Sequence, residues 1–82
     1  MEFTKINNDI NGNPRYVVHF FSLLTETENN SNLSIDNKYK LALNRAKKIG
    51  GKKYHNKKYG GGIVFQSYNI KDLENSINKL KQ

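Results

Sequence analysis

The chain has 82 residues and no cysteine, and 14 basic residues against 7 acidic ones give a net charge of +7. This length predicts one domain, residues 1–82, because smaller units bury too little surface to offset chain entropy. The lack of cysteine excludes disulfides and thiolate metal sites, the apolar run 17–24 is too short to cross a membrane, and residues 1–5 do not begin a signal peptide, so we expect a cytoplasmic protein.

The first third of the sequence predicts two strands. Residues 2–8 alternate weakly, and the Asn, Gly and Pro residues of 11–14 predict a hairpin turn because Asn and Gly tolerate positive φ and Pro excludes a helix. Residues 15–24 are rich in Val, Phe and Tyr and predict a central strand. The polar segment 25–32 predicts an exposed loop.

A helix is predicted next. Ser34 supplies a side-chain acceptor for its first turn, and Asp36 suits the positive end of the helix dipole. Gly50 and Gly51 offer a left-handed cap at the other end. Apolar residues recur every three or four positions and predict one buried stripe, formed by Ile35, Tyr39, Ala42, Leu43, Ala46 and Ile49.

The remaining elements are a short strand at 52–55, a loop at 56–62, a strand at 63–68 and a final helix. Asn69 is the predicted cap of that helix, with Asp72 in the capping-box position. Its apolar repeat consists of Ile70, Leu73, Ile77 and Leu80. The order predicts an α+β fold, a two-layer ββαββα arrangement with a mainly antiparallel four-stranded sheet and two helices on one face.

Charge is distributed unevenly along the chain. Residues 1–36 contain two basic and five acidic side chains, a net charge of −3, whereas residues 37–71 contain ten basic side chains and no Asp or Glu. Residues 72–82 are neutral. Solvated surfaces ordinarily mix their signs, so this segregation indicates a surface that binds an external anion. The alternative is a lysine-rich surface that serves solubility.

The most distinctive candidate site lies where lysines and tyrosines alternate between glycines, because lysines can meet phosphates while tyrosines stack on bases or donate hydrogen bonds. Five or six such contacts would give log K against log salt a slope of roughly −4 to −5. The alternative is an ordinary loop whose glycines serve the turn. The predicted nucleic-acid-binding residues are Lys47, Lys48, Lys52, Lys53, Tyr54, Lys57, Lys58 and Tyr59.

Strict alternation along the strands suggests a second surface. With Tyr16, Val18 and Phe20 directed to the helices, the opposite sheet face would present His19, Phe21, Gln66 and Tyr68. Aromatic residues on an open basic sheet are one way in which proteins stack unpaired bases. The alternative is that a loop or a second subunit buries both faces of the sheet.

Catalysis is not expected. Residues 60–62 do not form a phosphate-binding P-loop, since no Gly-Lys-Ser/Thr follows them into a helix. His55 or His19 could act as the general base of a small ribonuclease, with Lys53 stabilising charge, but no carboxylate lies near His55 in sequence to orient it. Two separated histidines make a poor ligand set, so we expect no metal and no cofactor.

Three segments resemble small proteins of bacteriophages and related mobile elements: residues 8–20 (NDINGNPRYVVHF), 48–54 (KIGGKKY) and 60–69 (GGGIVFQSYN). The resemblance covers most of the chain apart from residues 25–34. It implies a phage context, hence the host cell cytoplasm, and provides no catalytic residues. Small phage proteins of this size are often accessory factors or inhibitors of host defence, including anti-CRISPR proteins.

Two functions therefore remain open. The first is an accessory protein that binds DNA or RNA, and the second is an inhibitor that binds a host defence ribonucleoprotein through its protein surface or its guide RNA. No membrane partner is expected, and the sequence is compatible with a monomer or a homodimer.

Overall fold

Four strands form one antiparallel sheet in a computed structural model that describes residues 1–54, 61–66 and 69–82. The sheet order is β1-β2-β4-β3, so β2 and β4 are central and β1 and β3 are the edges. The strands are β1 (Thr4–Ile6), β2 (Arg15–His19), β3 (Lys52–Tyr54) and β4 (Gly62–Gln66).

Three α-helices and one 3-10 helix complete the described part of the chain. The two longer ones are α2 (Ile35–Lys47) and α3 (Ile70–Leu80), and the shorter ones are the 3-10 helix Phe20–Leu23 and α1 (Glu26–Asn29). Strands and longer helices follow one another as ββαββα, which confirms the predicted fold class. No helix in the described ranges is long and apolar enough to cross a membrane.

The predicted turn between the first two strands is confirmed. The Asp9 carboxylate accepts hydrogen bonds from Asn11 N–H (2.9 Å) and Asn13 N–H (2.8 Å), and Gly12 adopts a φ of 82°. These bonds to the ionised form lower the pKa of Asp9, with the Asn13 backbone bond as the largest cause. The turn thereby sets the β1–β2 register, in which Lys5 is opposite Tyr16.

The prediction of one strand over residues 15–24 is wrong beyond His19. Phe21 N–H donates to His19 Nδ1 (3.2 Å), and Leu24 N–H donates to Phe21 O (3.1 Å), so the chain turns into the 3-10 helix. The turn changes the period from two to three residues, and this places both Phe20 and Leu23 in the core.

The segment 25–32 is likewise not only a loop. Thr25 Oγ1 accepts a hydrogen bond from Glu28 N–H (3.2 Å), while the Glu28 carboxylate accepts one from Thr25 N–H (2.8 Å). This reciprocal capping box starts α1, a single helical turn that has no buried residue of its own. A polar sequence can therefore start a helical turn through its capping side chains.

The core lies between one face of the sheet and helices α2 and α3. Strands β2 and β4 contribute Val18, Ile63 and Phe65, and partly buried Tyr16 packs beside them. Both helices contact the same cluster, so they cover the same face, as predicted. The other members of the buried cluster are Phe20, Leu23, Leu24, Ala42, Ala46, Leu73 and Ile77.

The buried stripe of α2 differs from the predicted one at its first turn. Ile35 is 60% exposed, whereas Lys38 is only 8% exposed and its Nζ donates to Asn29 O (2.7 Å). Ala42 and Ala46 are fully buried as predicted. Ile35 lies on the same side of the helix as Ala42 and Ala46, so the buried side is unchanged and only the first turn of α2 is exposed, while the Asn29 carbonyl accepts the Lys38 ammonium.

The end of α2 shows the predicted left-handed cap. Gly50 has a φ of 86° and its N–H donates to Lys47 O (3.3 Å), while Gly51 N–H donates to Ala46 O (2.8 Å). These two bonds form a Schellman motif. A Cβ at Gly51 would lie 2.7 Å from the Phe65 ring, so this position also needs glycine for packing.

Helix α3 begins as predicted. Asn69 Oδ1 accepts from Asp72 N–H (2.8 Å), and Asn69 Nδ2 donates to the Asp72 carboxylate (2.7 Å). Leu73 and Ile77 are fully buried as predicted. Ile70, the first residue of the predicted apolar repeat, is exposed.

Candidate functional site

Arg45 lies in the basic segment of the sequence but is paired inside the protein. Its guanidinium makes two hydrogen bonds to the Glu28 carboxylate, at 2.5 Å (Nη1–Oε1) and 2.6 Å (Nη2–Oε2), and Nη1 also donates to Leu23 O at 3.0 Å. The Arg45 hydrogen bond is the main reason that the pKa of Glu28 falls to about 2, and it raises the pKa of Arg45. One acid of the first 36 residues thus neutralises one base of the segment 37–71.

Lys38 is a second basic residue that makes its polar contact within the protein. Its ammonium is directed to Asn29 O, as described above, and the side chain is buried. The expectation that the whole segment 37–71 needs an external anion is therefore wrong for Arg45, and the Lys38 ammonium, although still charged, is directed to a backbone carbonyl. The other basic residues of this segment that the structure describes are exposed, and four of them belong to the predicted binding site.

Four of the predicted binding residues lie close together in the chain reversal that joins α2 to β3. Lys47 is the last residue of α2, Lys48 follows it, and Lys52 and Lys53 open β3. All four are exposed, and none forms an ion pair within the described ranges. We call Lys47, Lys48, Lys52 and Lys53 the lysine quartet. The Schellman turn of Gly50 and Gly51 lies between its two halves.

The lysine quartet does not occupy a single flat face. Lys53 is opposite Ile63 in the sheet register, and Ile63 is in the core, so Lys53 lies on the helix-covered side. Lys52 is opposite Val64 and lies on the other side. A ligand that contacts both lysines must therefore pass around the β3 edge.

Tyr54 shares the sheet side of Lys52, since alternate residues of a strand face the same way. It is half-buried and lies opposite Gly62 in the register. The other predicted members of the site, Lys57, Lys58 and Tyr59, fall in the range 55–60, outside the described residues, as does His55.

The sheet face turned away from the helices only partly matches the prediction. His19 and Gln66 are exposed there, as expected, but Val17 is just 3% exposed on the same face. Tyr68 lies outside the described residues. Phe21 is also exposed, although it belongs to the 3-10 helix and not to the sheet.

An aromatic cluster formed by His19, Phe20, Phe21 and Tyr39 adjoins the lysine quartet. Phe20 is in its middle, with ring centroids 4.7 Å from His19, 4.6 Å from Phe21 and 5.2 Å from Tyr39. Lys53 Nζ lies 5.7 Å from the Tyr39 ring centroid, within the range of a cation–π contact. This contact connects the cluster to β3.

The sequence missed this connection. Tyr39 was assigned to the core stripe of α2 by periodicity alone, and it is in fact half-buried between Phe20 and Lys53. The available signal is a lysine in a predicted short strand, but the register that directs it towards α2 depends on long-range pairing.

His19 has one nitrogen committed to the fold, because Nδ1 accepts the Phe21 N–H. Its ring contacts in the described ranges are with Phe20 and Phe21. Across those ranges, no group of three or more His, Cys, Asp or Glu side chains is arranged to hold a metal ion.

A family model described as Staphylococcus phage terminal repeat-encoded protein TreK matches residues 1–82. No match was found among the curated proteins or among the solved structures. The family match covers the whole chain and confirms the phage origin expected from the sequence.

Proposed function

The chain belongs to this family of Staphylococcus phage proteins, and from that premise we propose that it is an accessory protein which binds nucleic acid at the lysine quartet. In this proposal the protein is a binding protein and not an enzyme. It acts in the cytoplasm of the host cell. The observation that carries it is the position of four exposed lysines on the two sides of one tight turn.

The turn gives the lysine quartet a fixed backbone. Bonds from Gly50 and Gly51 back to α2 hold the chain reversal, and β3 is paired to β4 immediately afterwards. Only side-chain freedom remains to be lost on binding, which favours association. The lysines at the end of α2 also lie at the negative end of its dipole, so their charge does not oppose the helix.

Lys38 and Arg45 make contacts within the protein, so they are not counted among the residues that bind phosphate. The lysine quartet would neutralise about four phosphates, which predicts a slope of log K against log salt of roughly −3 to −4 on duplex DNA. Contacts from Lys57 and Lys58 would bring the slope to the value expected from the sequence.

The test is a titration of fluorescein-labelled DNA and RNA of mixed sequence, followed by anisotropy at increasing NaCl. A variant with all four lysines of the quartet changed to Gln should bind at least tenfold more weakly at low salt and show a slope closer to zero. A matched control removes the same charge elsewhere, through Lys5→Gln, Lys71→Gln, Lys79→Gln and Lys81→Gln. Undetectable binding by the unaltered protein at low salt, or equal losses in both variants, would exclude the proposed site.

Lysines on an edge strand have a second physical role, since they discourage pairing with the edge of another sheet. Sedimentation of the Lys52→Gln/Lys53→Gln variant separates the two roles. Self-association without loss of affinity for nucleic acid would assign the lysines to edge protection alone.

Inhibition of a host defence effector is the alternative that the sequence left open. Here the tagged protein would retain one stable protein partner from host lysate after nuclease treatment. Recovery of nucleic acid alone from untreated lysate supports the proposal made above.

A further inference from the structure

We infer that the aromatic cluster stacks unpaired bases, so that the protein prefers single-stranded to double-stranded nucleic acid. This inference rests on the proposed function and assigns it a strand preference. His19 and Phe21 supply the contact surface, and the adjoining Lys53 supplies the positive charge.

The exposed part of the aromatic cluster consists of the rings of Phe21 and His19. Phe21 is 43% exposed and His19 is exposed beside it, with ring centroids 4.5 Å apart and planes inclined at 64°. The buried part of Phe21 packs against His19 and Phe20, and the exposed part of its ring is available to another ring. A nucleobase offers such a ring together with a negatively charged backbone.

The backbone beneath this surface is fixed before any ligand arrives. Phe21 N–H donates to His19 Nδ1, and Phe21 O accepts from Asn29 Nδ2 (3.3 Å). Phe20, only 5% exposed, supports both rings from below. Gly61 allows the chain to pass close to Phe20, since a Cβ there would lie 2.9 Å from the Phe20 ring. A base would therefore meet rings that already have a rigid support.

The lysine near the aromatic cluster indicates which class of ligand would bind there. Buried Phe20 and half-buried Tyr39 separate the exposed rings from Lys53, whose Nζ lies over the Tyr39 ring, so a ligand must extend past Tyr39 to reach both the rings and the lysine quartet. An apolar peptide would gain nothing from the lysines, and a duplex would present its phosphates but keep its bases stacked on one another. Unpaired nucleic acid satisfies both the rings and the lysines.

The experiment compares a labelled 20-nucleotide single strand, as DNA and as RNA, with the matching duplex. Phe21→Ala should weaken single-strand binding by roughly 5- to 150-fold, the equivalent of losing one stacked base, and duplex binding by less than about twofold. The loss should be similar at low and high salt because stacking releases no counterions. Ile10→Ala is the matched control, since Ile10 is apolar and 100% exposed on the β1–β2 turn; it should change neither affinity.

A second variant distinguishes loss of stacking from a folding defect. The chain contains no tryptophan, so Phe21→Trp introduces a single indole emitter. It should retain single-strand affinity, and saturation with the oligonucleotide should quench its fluorescence. Unchanged emission at saturation, or equal losses on single strand and duplex for Phe21→Ala, would overturn the stacking inference while leaving salt-dependent binding intact. Failure of the unaltered protein to bind any nucleic acid would instead overturn the proposed function, and this inference with it.

Discussion

Arg45 and Glu28 form a bidentate ion pair that joins α2 to the short helix α1 and links the basic and acidic parts of the sequence. Their side chains are 19% and 24% exposed, so the pair is only partly screened by water. Two parallel hydrogen bonds also fix its geometry, which makes it stronger than an ordinary surface pair. The arrangement stabilises a segment that contributes little apolar surface of its own.

Glu28→Gln should destabilise the protein by about 1–2 kcal/mol at pH 7. This range is below the full equivalent of the pKa shift because the pair is partly exposed. The folded-state pKa is about 2 and the ordinary value is 4.5, so the stabilisation is present above pH 4.5 and is lost as the pH falls towards 2. Urea unfolding between pH 2 and pH 7 measures it.

Glu26→Gln is the matched control, since Glu26 lies in the same helical turn but is exposed and makes no described ion pair. Its unfolding free energy should stay within about 0.5 kcal/mol of the unaltered protein. If Glu28→Gln loses as much stability as the unaltered protein between pH 4.5 and pH 2, the ion pair does not cause the acid dependence.

The features predicted correctly from the sequence are those with local causes. Asn69 caps α3 through its own side chain, and Gly50 ends α2 through its own φ, so neighbouring residues determine both. The order of strands and helices follows from apolar periods of two and 3.6 residues in the same way. Local chemistry sufficed for the fold class.

The predictions that were wrong concern contacts between separate elements of the fold. Lys38 is buried with its ammonium on the Asn29 carbonyl, a contact that the helix period does not show, and Ile35 is exposed in the first turn although it is aligned with the buried Ala42 and Ala46. The Lys53–Tyr39 contact depends on the β3–β4 register. Counting charge along the chain also overestimated the free positive surface, since it could not place Glu28 against Arg45.

Gly51→Ala should destabilise the protein by about 2–3 kcal/mol. The added Cβ would lie 2.6 Å from Ala46 Cβ and 2.7 Å from Phe65 Cε1, and neither neighbour is a flexible surface side chain. Thermal unfolding should show a clear fall in Tm. Gly50→Asn is the control: nothing lies within 4 Å of its Cβ and Asn tolerates the left-handed φ, so its loss should be within about 1 kcal/mol. Equal losses would mean that backbone conformation, not packing, restricts this turn to glycine.

Asn69→Ala should reduce the unfolding free energy by about 1 kcal/mol, because the Asp72 N–H loses its side-chain acceptor. Asn78→Ala provides the comparison inside α3, where Asn78 is exposed and alanine is the better helix former, so it should be neutral or slightly stabilising. Urea unfolding of both variants measures the difference. Comparable losses in the two would show that the cap contributes nothing specific.

Lys38→Ala distinguishes a structural lysine from a ligand-binding one. It should lower the unfolding free energy by about 1–2 kcal/mol, since Asn29 O loses a charged donor. The control Lys40→Ala, at an exposed position, should change the unfolding free energy by less than about 0.5 kcal/mol. In salt titrations with DNA, Lys38→Ala should leave the slope of log K against log salt unchanged, and Lys53→Ala should reduce its magnitude by about 0.9. A similar reduction for Lys38→Ala would mean that its ammonium leaves Asn29 to bind phosphate, and that the charge of residues 37–71 acts as a whole.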